Sequence, residues 1–149
     1  MKALFCLLLL PLAAFAQSWV INPDHSELLF KVSYLGQSEV TGRFHRFQGR
    51  LDFSSDQTPK GLSLIIEASS IDTGNRTRDG HLRQNNFLKA QAFPQIIFSA
   101  AGLTQTSVGK IRADGLLNLR GVKRPVSLEF NLGTTVKDTW GHATRFVTF

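Results

Sequence analysis

Cysteine is almost missing from this chain: the only one, Cys6, sits in the apolar N-terminal stretch, so residues 17–149 have no means of forming a disulfide or a thiolate nucleophile or ligand. Stability therefore has to come from burial. A long hydrophobic run is missing too. Ala3 to Leu12 is apolar but well short of the roughly 20 residues a spanning helix requires. With Lys2 ahead of it and Ala14-Phe15-Ala16 behind, the run reads instead as a secretory signal over residues 1–16, cleaved before Gln17. The expectation is a periplasmic or secreted protein with one domain over residues 17–149. Signatures of catalysis are sparse. His25, His45, His81 and His142 lie far apart, without the close helical pairing of a zinc site, and neither a Gly-rich phosphate loop nor a nucleophile elbow occurs. Asp24-His25-Ser26 offers triad chemistry in name only, because neighbours on a strand point to opposite faces. No enzyme, metal or cofactor is expected, and those three residues are expected to fix the first strand by hydrogen bonds to backbone.

What the chain has in quantity is alternation. Leu28, Phe30, Val32 and Tyr34 alternate with Leu29, Lys31 and Ser33, and after a turn at residues 36–38 Val40, Gly42 and Phe44 continue the pattern. Phe47, Gly49, Leu51 and Phe53 oppose Gln48, Arg50 and Asp52; Leu62, Leu64 and Ile66 oppose Ser63 and Glu67. Strands follow over residues 96–100 and 110–119, then Val126 to Leu132, the last two joined by a turn at residues 120–125. The formal net charge is +6, with Lys and Arg spread evenly. Export and that even spread argue against nucleic acid as a partner, whereas transient contact with an anionic membrane surface fits the charge. Neither a repeat nor a linker divides the chain.

Seven or eight short antiparallel strands with one apolar face each leave a β-sandwich or a closed barrel, since an apolar face has to be covered. Barrels of about eight strands hold one small ligand inside. A single segment interrupts the strands, and it is read as a short helical insert near residues 75–90. It gathers Arg76, Arg78, Asp79, His81 and Arg83, then delivers Phe87, Phe93 and Phe98 around Pro94.

In order along the chain stand Trp19 through Asp24-His25-Ser26, Gly42-x-Phe44-x-x-Phe47-x-Gly49, Ser70-Ile71-x-Thr73, Arg78-Asp79-x-His81-Leu82-Arg83-x-x-x-Phe87, Phe93-Pro94-x-Ile96-x-Phe98 and Gly115-x-Leu117-x-x-x-Gly121-Val122-x-x-Pro125-Val126. Together they resemble the YceI-like family of exported bacterial proteins. The resemblance implies an all-β, lipocalin-like antiparallel barrel that binds a polyisoprenoid or other long apolar lipid in its lumen, without cofactor or catalysis. A tail of that kind is held by burial, worth about 0.8 kcal/mol per methylene before ordering costs. Alternation then makes Phe30, Val32, Tyr34, Phe44, Leu51, Leu64, Ile66, Phe98, Leu117 and Phe130 the lining candidates. Phe87 and Phe93 would lie over the tail or, by preference, pin the insert to the barrel. If the ligand carries a phosphate head, Arg78, His81 and Arg83 are the donors to hold it; Asp79 is expected to cap or pair within the insert. A β-rich interaction or stress module with a dry core is the competing expectation. After Trp140-Gly141, where the family continues through further strands, only His142 to Phe149 follow. Closure by a strand over Arg145 to Phe149 is expected, and an edge left open would invite a homodimer.

Overall fold

The structure is a computed structural model that describes residues 17–137, 139, 141, 143–144 and 147–149. Its strands are β1 (Gln17–Ile21), β2 (Leu28–Tyr34), β3 (Ser38–Phe44), β4 (Phe47–Phe53), β5 (Pro59–Glu67) and β6 (Ile71–Asp72). The helix α1 (Arg76–Leu82) follows. The second half supplies β7 (Gln95–Ala100), β8 (Leu103–Ser107), β9 (Lys110–Leu119) and β10 (Val122–Leu132), with the short β11 (Val136–Lys137), β12 (Ala143–Thr144) and β13 (Val147–Thr148).

These strands build a nearly closed antiparallel barrel. Its main sheet runs β1-β4-β5-β7-β9-β10-β13, and β8 adds to β9. A ribbon of β2 and β3, joined to β6, forms a second sheet. The alternating residues explain the inside: Phe47, Leu51 and Phe53 of β4, Leu62, Leu64 and Ile66 of β5, and Ile96, Phe98 and Ala100 of β7 are all buried, as period-2 apolar faces demand. Phe98 needs extra room, and Gly115 provides it. A Cβ there would sit 2.7 Å from the Phe98 ring and 2.4 Å from the Ser99 carbonyl oxygen.

Several expectations change in detail. The β9–β10 connection is a two-residue turn at Arg120-Gly121, both at positive φ (54° and 77°), so it closes a tight hairpin and leaves Pro125 inside β10, opposite Leu116. Proline fits there because β10 is an edge over most of its length: β13 pairs only with Asn131 and Leu132. Lys123, Arg124 and Pro125 on that edge disfavour strand addition, and so oppose the subunit pairing that an open edge invites. The expected final strand is reduced in the described residues to Val147-Thr148, held to β10, with the Phe149 ring 5.5 Å from Phe130. Among the described residues no ladder joins β13 to β1; Arg145 and Phe146 lie outside them. Residues 23–25 form a 3-10 turn rather than strand, and Asn22, not Asp24, His25 or Ser26, supplies its side-chain hydrogen bond by accepting from the Asp24 N–H at 2.9 Å.

Candidate functional site

The barrel interior divides into a filled half and a hollow half. Leu51, Phe53, Leu62, Ala100, Ile111, Ala113 and Phe130 are buried in one packed core, and none of them lines the cavity that lies beyond. Two residues along β5, β7 and β10, at Leu64, Phe98 and Leu128, the space opens into a cavity of about 970 Å³, at the upper end of the range for ligand pockets. Leu64 and Ile66 of β5, Phe98 of β7, Leu117 of β9 and Leu128 of β10 line one side of it. Phe30, Val32 and Tyr34 of β2, with Phe44 of β3, line another. Phe30 lies against Gly42, where a Cβ would stand 2.4 Å from its ring, and its ring centroid is 5.3 Å from that of Phe44.

Of the twelve apolar residues expected in the lining, three are elsewhere. Leu51 and Phe130 point inward, as alternation requires, but at the filled end. Phe93 packs over Gly121 of the β9–β10 turn, 3.1 Å from where a Cβ would be, so its ring pins the insert to the barrel. Phe87 does line the cavity and is half exposed. Leu28, Ile96 and Leu128 line it too, on the same alternating faces as the expected residues, so their signal was present in the sequence. Arg120 also lines it, and a turn position carries no periodic signal.

The insert is fixed by polar chemistry. Asn75 caps α1, accepting from the Arg78 N–H at 3.1 Å. Asp79 is buried and accepts from the Thr73 N–H at 2.9 Å and the Thr73 hydroxyl at 2.6 Å, so it pairs within the insert. Arg78 Nε donates to Thr73 Oγ1 at 2.8 Å and Nη2 to the Thr73 carbonyl at 2.9 Å, while its side chain still borders the cavity beside His81. Arg83 does not border it. Its guanidinium donates through Nε to the carbonyl of Ser69 (2.9 Å) and through Nη2 to that of Ile71 (3.0 Å), stitching the helix to the chain that precedes it. Close by, Arg46 grips Glu67 through two hydrogen bonds (2.5 and 2.7 Å) and Ser69 adds a third, which together hold the Glu67 carboxyl down to about 2. His45 Nε2 lies 2.8 Å from Asp72 Oδ2; the Gly74 N–H and then His45 lower the pKa of that carboxyl. Among the described residues no group of three or more His, Cys, Asp or Glu is placed to hold a metal ion.

A nearly closed antiparallel barrel, filled at one end and hollow and apolar at the other beneath a helical insert, defines the class of lipocalin-like barrels. The chain belongs to the YceI-like family, whose model matches residues 19–148. It is 33% identical to a UPF0312 protein of Vibrio parahaemolyticus over 89% of this chain and 71% of that one, and 34% identical to a UPF0312 protein of Shewanella denitrificans over 90% and 72%. The Campylobacter jejuni YceI protein superposes with a TM-score of 0.64 at 29% identity, covering 83% of this chain and 72% of its own. BcnA of Burkholderia cenocepacia shares the fold, with a TM-score of 0.67 at 17% identity over 76% of this chain and 72% of that one.

Proposed function

We propose that this protein holds a long apolar ligand, a polyisoprenoid by its family resemblance, in the hollow half of the barrel, as an exported carrier or store. The observation that carries this reading is the cavity of about 970 Å³, walled by Leu64, Phe98 and Leu117 on one side and Phe30 and Val32 on the other. A dry interaction module would fill this space with side chains, because voids forfeit packing contacts. A flexible hydrocarbon needs only apolar surface to displace water from, so no reactive group enters the reading. Residues 1–16 supply the export signal in this account. Native mass spectrometry of gently purified protein tests it: a lipid mass that organic extraction removes, and that returns when isoprenoid is titrated back, is the expected result. Preparations repeatedly free of lipid that take up none on titration would overturn it.

A further inference from the structure

The insert has a second side. Leu82, Phe87 and Leu88 line the barrel cavity, whereas Gln84, Asn85, Asn86 and Gln91 of the same stretch line a separate pocket of about 650 Å³, within the range of ligand sites. The two spaces share no lining residue. Among the described residues, none of these four side-chain amides has a hydrogen bond. The backbone that carries them is nevertheless fixed. The Gln84 carbonyl accepts from the N–H groups of Phe87 (3.0 Å) and Lys89 (2.9 Å), the Arg83 carbonyl from that of Ala90 (3.0 Å), and the Lys89 carbonyl from those of Ala92 (3.0 Å) and Phe93 (2.9 Å). Arg83, the single charged residue of the lining, anchors this loop to the Ser69 and Ile71 carbonyls. The Ser69 hydroxyl is committed as well, donating to Glu67 and accepting from Arg46. Four uncommitted amides on a fixed loop form a preorganised set of hydrogen-bonding groups.

The chemistry of the set limits its ligand. Each amide offers two N–H donors and a carbonyl acceptor and carries no charge, so the set matches groups that both donate and accept, as hydroxyls do. No carboxylate lines the pocket to bind a cation, and Arg83 has two of its donor groups engaged, so neither an anion nor a cation is favoured. Ala90, which is buried, adds a small apolar floor. An extended peptide is matched by donors and acceptors in a row at strand spacing, but these amides converge from a curled loop. A sugar ring, with hydroxyls in several directions and a C–H face to lie on Ala90, suits that convergence.

We propose that this pocket is a second binding site, for a neutral sugar, with Gln84, Asn85, Asn86 and Gln91 holding its hydroxyls. Because it shares no residue with the barrel cavity, it stands or falls independently of what that cavity holds. The test is an NMR titration of isotopically labelled protein with glucose, galactose, mannose, N-acetylglucosamine and maltose, and with a capped alanine peptide. At least one sugar should shift the side-chain amide resonances of the four residues saturably. Asn86→Ala combined with Gln91→Ala should weaken that binding on the order of tenfold, as the loss of two net hydrogen bonds implies. Both positions are exposed, so the melting temperature should not change. Gln105→Ala, which removes an exposed amide of β8 outside the pocket, should leave the affinity as it was. No saturable shift with any of the five sugars overturns the proposal, as does sugar binding that survives the paired substitution. Tighter binding of the peptide than of every sugar overturns it in favour of a site for polypeptide backbone.

Discussion

In the wall made by β4, β5 and β7, the inward side chains Leu51, Leu64 and Phe98 are 1–2% exposed, while in the ribbon the equivalent positions of β2, Val32 and Tyr34, are 53% and 60% exposed. Both regions carry the same alternation of apolar and polar residues. The difference lies in what stands opposite. The wall strands are paired on both sides within a seven-strand path, so their inner side chains are packed by neighbouring strands even where, as at Leu64 and Phe98, they also border the cavity. The ribbon has β6 beside β3 and nothing beside β2 among the described residues, so its inner face looks into the cavity. One pattern therefore has two outcomes: in the wall it gives fully buried side chains, and in the ribbon it leaves half-exposed apolar surface facing the cavity.

That contrast can be broken from the wall side first. Phe98→Ala should cost about 3–5 kcal/mol in chemical denaturation, because a fully buried ring is lost and the room made by Gly115 becomes void. A loss below about 1 kcal/mol would mean that the floor of the cavity is not packed as described. Asp79→Ala should cost about 1–3 kcal/mol by the same measurement, since the Thr73 N–H and hydroxyl lose their buried acceptor. Val32→Ser should change stability by less than about 1 kcal/mol, as a half-exposed strand position permits, yet weaken uptake of an isoprenoid in titration. Equal effects of Phe98→Ala and Val32→Ser on stability would erase the distinction between wall and ribbon. The smallest effect concerns acid. Glu67 has its folded pKa depressed to about 2 by Arg46 and Ser69, so its contribution is present above its ordinary value of 4.5 and is lost as pH falls from there towards 2. Glu67→Gln should flatten the fall in melting temperature across that window and leave the slope at neutral pH unchanged.

Alternation made the strands β2 to β5, β7, β9 and much of β10 legible, together with the face each turns inward. It did not reveal position along the barrel axis. Leu51 and Phe130 follow the same rule as Leu64 and Leu117, and only the packing of β8 and Phe149 at one end separates filled from hollow. β8 itself was invisible, since Leu103-Thr104-Gln105-Thr106-Ser107 offers one apolar residue and owes its strand form to pairing with β9. The insert was legible as an interruption, but the division of labour among its charges was not. Whether Arg83 faces a ligand or the Ser69 carbonyl, 14 positions earlier, depends on the intervening chain folding back, a long-range contact that no local pattern encodes. Arg120 was hidden for the same reason: its importance comes from the Phe93 ring that meets its turn.

Two of the unpaired edges have a kinetic consequence if the cavity takes up a long chain, as proposed. β2 and β10 each lack a partner on one side over most of their length among the described residues, and both contribute walls to the same cavity. A tube closed all round obliges a long chain to thread end first, so the time for loading rises with every added isoprene unit. A cavity with seams along its length can be filled sideways, one segment at a time, so that the waiting time depends on the opening of the seam more than on the length of the guest.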